Sequence, residues 1–257
     1  MKGYKWLIFR VLCNDVTGWM IGVIFSNRIP DIRWRQFRFN INPNWVNKKQ
    51  VASIFWGFYE STEIRFVEKY LDGTRDVLEL GGSIGVVSSH IASKLLSGKK
   101  LISVEANPML IDAIDCNVKN HLKRGANVLV ENCAISYFKD TVELIITDNN
   151  TETHVLEEPM HDNSNLVVKA HTVESIVNAN HLNDFAMVCD IEGSEIEILL
   201  NEGSVLQICS QLIIELHHTH YQQASYSVQD LVGLIQGHGF DVIEQRGPVY
   251  YFIRLRK

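Results

Sequence analysis

Two carboxylates one residue apart, Asp190 and Glu192 in Cys189-Asp190-Ile191-Glu192-Gly193-Ser194-Glu195, follow directly on an apolar run with strand character. Such a pair is costly to hold together unless it meets a cation, a proton or a metal ion, so the segment points to a site for positive charge. The same residues could also cap a helix, with Glu192 and Glu195 in its first turn. A second cluster, Glu215-Leu216-His217-His218-Thr219-His220, closes another apolar run. Strand alternation puts Glu215 and His217 on one face and His218 on the other. A histidine that is neutral near pH 7 can take the proton of a hydroxyl, which makes His217 the expected general base, with Asp190, Glu192 and Glu215 orienting the group it acts on. The same residues could instead hold a divalent metal that acidifies the hydroxyl. Zinc is disfavoured, because neither a cysteine pair nor a well-spaced histidine set is present, and no metal is predicted.

A nucleotide site is suggested upstream. Asp76-Val77-Leu78-Glu79-Leu80-Gly81-Gly82-Ser83-Ile84-Gly85 reads as strand, glycine turn and helix start. Gly81, Gly82 and Gly85 let the backbone approach a ligand, and a helix N-terminus offers free N–H groups. Glu105 ends the next strand, roughly 20 residues on, where an acidic side chain can accept the ribose hydroxyls of an adenosine. Its neighbours Ala106 and Asn107 complete the turn, and Asn107-Pro108 can also start a helix. Asn132-Cys133-Ala134 follows a third apolar run and can meet an adenine ring, or simply turn the chain. Glu79, Ser83, Asn132 and Ala134 thus join the expected cofactor set. A glycine turn with a distant acid still admits NAD.

These residues need a scaffold that brings strand ends together. After Asp72-Gly73 the chain alternates short apolar runs (Val77-Leu80, Leu101-Val104, Val128-Val130, Phe185-Cys189, Leu212-Leu216) with helix candidates at about 84–96, 108–122, 194–201 and 227–237. That alternation predicts an α/β fold with a parallel sheet and right-handed crossovers. Phe240-Ile243 and Val249-Leu255, separated by Gly247-Pro248, predict a C-terminal hairpin and an antiparallel edge. A dinucleotide-binding sheet is parallel throughout, so the hairpin favours a different variant of the fold. Val142-Thr147 and Leu166-Ala170 predict an inserted hairpin with a mobile tip around residues 148–164. Val51 to Leu71 predicts one or two amphipathic helices leading into the domain. Residues 1–50 read as a helical or irregular extension, and 51–257 as the main domain.

Composition narrows the function. Hydrophobic residues are 46% and charged residues 21% of 257, ordinary for a soluble globular chain. The net charge of −6 gives no overall field for phosphate backbones, so nucleic acid is not an expected partner. Arg28, Arg33, Arg35, Arg38, Lys48 and Lys49 nevertheless gather near Trp34, Phe37, Phe39 and Trp45. This is either a solvated basic face beside aromatic anchors, or a patch for an anionic glycan, a nucleotide-linked sugar or a membrane surface. Five scattered cysteines and the lack of a signal-peptide pattern or a 20-residue apolar span suggest a cytoplasmic protein, with peripheral membrane contact left open.

Taken with Phe55-Trp56-Gly57-Phe58-Tyr59-Glu60, Val104-Glu105-Ala106-Asn107-Pro108 and Ile214-Glu215-Leu216-His217, the glycine turn and the DxEGxE segment resemble the FkbM-type methyltransferase family from about Phe55 to Leu255. The resemblance implies a Rossmann-like class I methyltransferase fold with a mostly parallel seven-stranded sheet and S-adenosylmethionine as donor. It also implies O-methylation of a hydroxyl on a sugar, glycan or natural product. Glu79, Gly81 and Gly85 match the family's cofactor loop, Glu105 its ribose acid, and Asp190 and Glu192 its acidic motif, whose carboxylates would meet the donor's sulfonium and ammonium charges. Ser83 stands where the family often has asparagine, Glu79 where aspartate is frequent, and Ala106 where proline is common. Two rival readings remain: an NAD-dependent oxidoreductase on a related fold, and a non-catalytic cofactor-binding partner in a glycan-assembly complex.

Overall fold

The computed structural model describes residues 8–24, 31–34, 36–41, 46–146, 153–155 and 165–255. The apolar runs pair into one seven-stranded sheet in the order β14-β15-β11-β10-β3-β4-β5. Its members are β3 (Val77–Leu80), β4 (Lys100–Glu105), β5 (Asn127–Asn132), β10 (Phe185–Cys189), β11 (Cys209–Glu215), β14 (Phe240–Arg246) and β15 (Val249–Arg254). The first five pair in parallel, and β15 runs antiparallel to both β11 and β14, which is the expected hairpin edge.

Every residue of β3 and β10 is buried, as a parallel strand covered on both faces must be. Side-chain alternation divides the core accordingly. Val77, Ala186, Val188 and Ile213 face one layer; Leu78, Leu80, Met187, Cys189, Leu212 and Ile214 face the other. The chain runs from β3 outward through β4 and β5, then returns to place β10 on the opposite side of β3. This reversal is the topological switch point, where open α/β sheets hold their ligands beyond the strands' carboxyl ends.

The covering helices are α1 (Asp15–Ile24), α2 (Lys48–Trp56), α3 (Ser61–Tyr70), α4 (Val86–Lys94), α5 (Ile111–Lys119), α6 (Val173–Ala179), α7 (Glu195–Asn201), α8 (Gly203–Ile208) and α9 (Val228–Gly237). The helix expected from residue 84 begins at Val86, because the glycine turn takes left-handed conformations up to Gly85. The stretch expected as one helix over 108–122 is split into a 3₁₀ turn (Pro108–Leu110) and α5. The seven-residue α6 and six-residue α8 had no periodicity long enough to be read.

Near the N-terminus, β1 (Asp31–Trp34) and β2 (Phe37–Asn40) form a hairpin against the main domain. Phe37 and Phe39 are buried, Phe37 stacks on His90 with ring centroids 3.7 Å apart, and the Asn40 N–H donates to Asn117 Oδ1. Phe37 and Phe39 thus belong to the domain core, while Arg38, Lys48 and Lys49 are exposed. The insertion pairs β7 (Thr141–Ile146) with β9 (Asn165–His171), flanked by β6 (Ala134–Ile135) and β8 (Thr153–Val155). Apart from β8, the tip expected at 148–164 lies outside the described residues. A further small hairpin, β12 (Thr219–Tyr221) with β13 (Ala224–Tyr226), follows β11. Among the described residues, no helix is long and apolar enough to cross a membrane, and the five cysteines are free.

Candidate active site

The register brings the two acidic motifs to the switch point. Leu80 pairs with Cys189, so Gly81 and Asp190 leave adjacent strands side by side. Gly81 sits at φ +89°, and a Cβ there would lie 1.9 Å from the Asp190 carbonyl oxygen, so this position admits only glycine. Both the Gly81 and Gly82 N–H groups donate to the Val104 carbonyl, which pins the turn to β4.

Below the turn, Glu79 is buried and turned inward. Its neighbour across the sheet is Ser103, and the hydroxyls of Ser103 and Ser88 both donate to its carboxylate. Burial pushes its carboxyl up to about 7. Glu79 is not among the residues that line the cleft; through Oε2 it braces the loop from beneath, while its Oε1 is buried without a partner.

Glu105 does line it. Its two carboxylate oxygens accept the N–H groups of Ser83 (2.8 Å) and Asn107 (2.7 Å), which fixes the carboxylate at the cleft wall. Burial raises its carboxyl to about 7. Ala106 lines the cleft beside it, whereas Asn107 is fully buried and caps the following 3₁₀ turn through Met109 N–H. Asn132 donates to the carbonyls of Glu105 and Ala106, holding this turn from outside the cleft, while Cys133 and Ala134 form its wall together with Ile135 and Leu144.

The cleft has a volume of about 550 Å³, within the range of small-molecule sites. Across from the glycine turn it is closed by residues only partly anticipated: Asn47, Lys49, Gln50 and Ser53 of α2 and its cap, then Phe58, Tyr59 and Glu60. The Tyr59 and Ser83 hydroxyls are 2.9 Å apart, linking this cover to the glycine turn. Glu60, Ser83 and Glu192 all line the cleft with left-handed backbones (φ 44°, 49° and 52°), a conformation that costs non-glycine residues energy and is also adopted at His181, Asp184, Gln222 and Gln223 away from it.

Asp190 and Glu192 both border the cleft. Asp190 Oδ1 is buried without a hydrogen-bond partner. Burial pushes its carboxyl up to about 8, reinforced by Glu215 and Glu192. A group in this state calls for positive charge. His217 stands behind Glu192, off the cleft wall, with Nδ1 3.3 Å from Glu195 Oε1 and Nε2 3.5 Å from Glu215 and 3.6 Å from Glu192. Hydrogen bonding to Glu195 and Glu215 raises its pKa to about 11, so it carries its proton at pH 7. Three carboxylates, one of them the fully buried Glu195 on α7, favour the protonated imidazole and so weigh against the neutral His217 base expected from the sequence. Glu215 in turn bonds Glu63 of α3, a buried carboxyl pushed up to about 9. One ligand atom each of Asp190, Glu192 and His217 lie within 4.8 Å of one another, a spacing that suits the divalent metal ion considered for these residues from the sequence.

These buried acids have a measurable consequence. Glu63, Glu79 and Glu105 hold their protons more tightly folded than unfolded, where a glutamate titrates at about 4.3. Their contribution is present below that value and lost as pH rises through about 7 to 9, so the ligand-free protein should lose stability from pH 5.5 to 9. Thermal unfolding across that range should show a falling Tm, with Glu63→Gln flattening the upper part. A Tm that climbs with pH would contradict these assignments.

The family model described as methyltransferase FkbM domain matches residues 79–242. No curated protein matches the sequence. Solved structures similar to the chain include an NADB-Rossmann superfamily protein from Streptococcus agalactiae (12% identity, TM-score 0.42, 75% of this chain and 66% of that one). The chain thus spans slightly less than two thirds of that protein. Others are magnesium protoporphyrin IX methyltransferase from Synechocystis PCC 6803 with bound SAH (9%, 0.45, 81% and 87%) and precorrin-6y C5,15-methyltransferase from Geobacter metallireducens GS-15 (12%, 0.41, 85% and 94%). With the glycine turn, Glu105 and the DxEGxE segment all inside a match covering more than half its length, the chain belongs to the FkbM methyltransferase domain family.

Proposed function

We propose that the protein is an S-adenosylmethionine-dependent O-methyltransferase acting on a hydroxyl of a saccharide, glycolipid or polysaccharide precursor. The observation that carries the donor assignment is Asp190 Oδ1, a buried carboxylate oxygen without a partner beside the glycine turn at the switch point. S-adenosylmethionine supplies a methyl group on a positively charged sulfur, open to in-line attack by an oxygen nucleophile.

The chain's own residues suit that donor. Glu105, held by two backbone N–H groups, is placed to accept ribose hydroxyls. Cys133, Ala134, Ile135 and Leu144 offer a small, mostly apolar wall for an adenine ring, and Asp190 supplies negative charge for the sulfonium end. Catalysis then rests mainly on alignment of donor and acceptor. Glu192, at the cleft and backed by protonated His217, is the carboxylate positioned to take the acceptor's proton; Glu195 and Glu215 keep the imidazolium in place. The acceptor class follows the family resemblance, supported by the polar mouth of Asn47, Lys49, Gln50 and Ser53.

Isothermal titration with S-adenosylhomocysteine, using NAD and NADP as controls, tests the donor before any acceptor is known. Saturable binding of the homocysteine nucleoside alone is the expected result. Preference for NAD, or no binding, would remove the assignment.

A further inference from the structure

The N-terminal fifth of the chain differs in composition from the rest. Residues 1–50 carry nine Lys and Arg against two Asp, in a protein whose net charge is −6, and all five tryptophans fall within the first 56 residues. Tryptophan and basic side chains are the pair that favours the boundary between water and an anionic bilayer.

Helix α1 shows how this composition is displayed. Gly18 and Ile21 are buried, and Gly18 lies so close to α2 that a Cβ would sit 1.8 Å from the Lys48 carbonyl oxygen. Val16, Trp19 and Met20, at i, i+3 and i+4, form the opposite face and are 67%, 55% and 51% exposed. A helix apolar on both faces has one face more than its own domain covers. Val11 extends the exposed apolar surface (60%), and Arg10 and Lys48 are exposed beside it in sequence and across the helix contact.

We infer that α1 is a membrane-docking helix that lies on an anionic lipid surface, with Val16, Trp19 and Met20 entering the interface and Arg10, Lys48 and Lys49 meeting lipid phosphates. Charge complementarity selects the occupant: a neutral apolar partner would leave the exposed Arg10, Lys48 and Lys49 unmatched. Phe9 and Lys49 also line the cleft, so docking brings its mouth to the lipid headgroups. The value of that placement for a lipid-linked sugar acceptor rests on the proposed function; the docking itself does not.

The test is sedimentation of the full chain with vesicles of phosphatidylcholine alone and of phosphatidylcholine with about 30% phosphatidylglycerol, at about 0.1 and 0.5 M salt. Binding at least about tenfold stronger to the anionic vesicles and weakened by salt is expected, with a comparable loss for Trp19→Asp/Met20→Asp and a smaller one for Lys48→Glu. S-adenosylhomocysteine titration of each variant reports whether the domain and its donor site are intact, which separates failure of docking from failure of the methyltransferase reading. Equal binding by the double variant, or no binding to anionic vesicles, overturns the inference. So does a dimer that the double variant dissociates in the absence of vesicle binding, which would assign the stripe to a second copy of the chain.

Discussion

Asp190→Asn is expected to lower methyl transfer by about 100- to 1000-fold, the loss typical of removing one preorganised electrostatic contact to developing or displaced charge. The substitution keeps the side chain's shape while removing the charge beside the glycine turn, so binding of S-adenosylhomocysteine, which keeps the ammonium but lacks the sulfonium, should fall less than binding of the donor itself. S-adenosylmethionine itself, positively charged at sulfur, should lose affinity relative to S-adenosylhomocysteine, and calorimetry with the two ligands reads this without an acceptor. Burial, reinforced by repulsion from Glu215 and Glu192, is why the charge of Asp190 is costly in the empty cleft and favourable beside a cation. With an acceptor in hand, an unchanged kcat/KM would take Asp190 out of the mechanism.

Gly81→Val should abolish donor binding and cost at least about 3 kcal/mol of stability, combining left-handed backbone strain with a backbone clash. The clash is with the Asp190 carbonyl oxygen, 1.9 Å from the added Cβ, so relieving it separates β3 from β10 at the point where the two acidic motifs meet. Gly98→Ala is the control. Gly98 has a similar dihedral (φ +82°) and open space around its Cβ, so its variant should lose only about 1 kcal/mol and retain full affinity for S-adenosylhomocysteine. Chemical unfolding and calorimetry of both variants separate strain from steric collapse. Tight nucleoside binding by Gly81→Val would refute the geometry assigned to the turn.

Much of the scaffold was readable because it depends on local periodicity. Three- to seven-residue apolar runs became the seven strands of the main sheet, the Gly247-Pro248 turn produced its antiparallel edge, and the stop of β4 at Glu105 placed that acid on the cleft wall. Short elements such as α6 and α8 escaped because one or two turns give too few apolar positions to establish a period. The cover made by Asn47, Lys49, Gln50 and Ser53 escaped for a different reason: it depends on where α2 packs against the mouth of the cleft, a contact between distant parts of the chain.

The residue types and their strand ends were thus determined by the sequence alone: the glycine turn, Glu105, Asp190 and Glu192 lie where the alternation of strands and helices put them. Their states were decided by the tertiary structure. Glu79 braces the turn through one oxygen because Ser103 comes beside it on β4 and Ser88 above it on α4. His217 becomes an imidazolium rather than a base because Glu195, from another element, is buried against it. Asp190 is left with an unpartnered oxygen because it is buried among Glu215, Glu192 and His217, none of which bonds that atom. Periodicity is a property of neighbours along the chain, whereas protonation and hydrogen bonding depend on what the fold brings from elsewhere and how much water it removes.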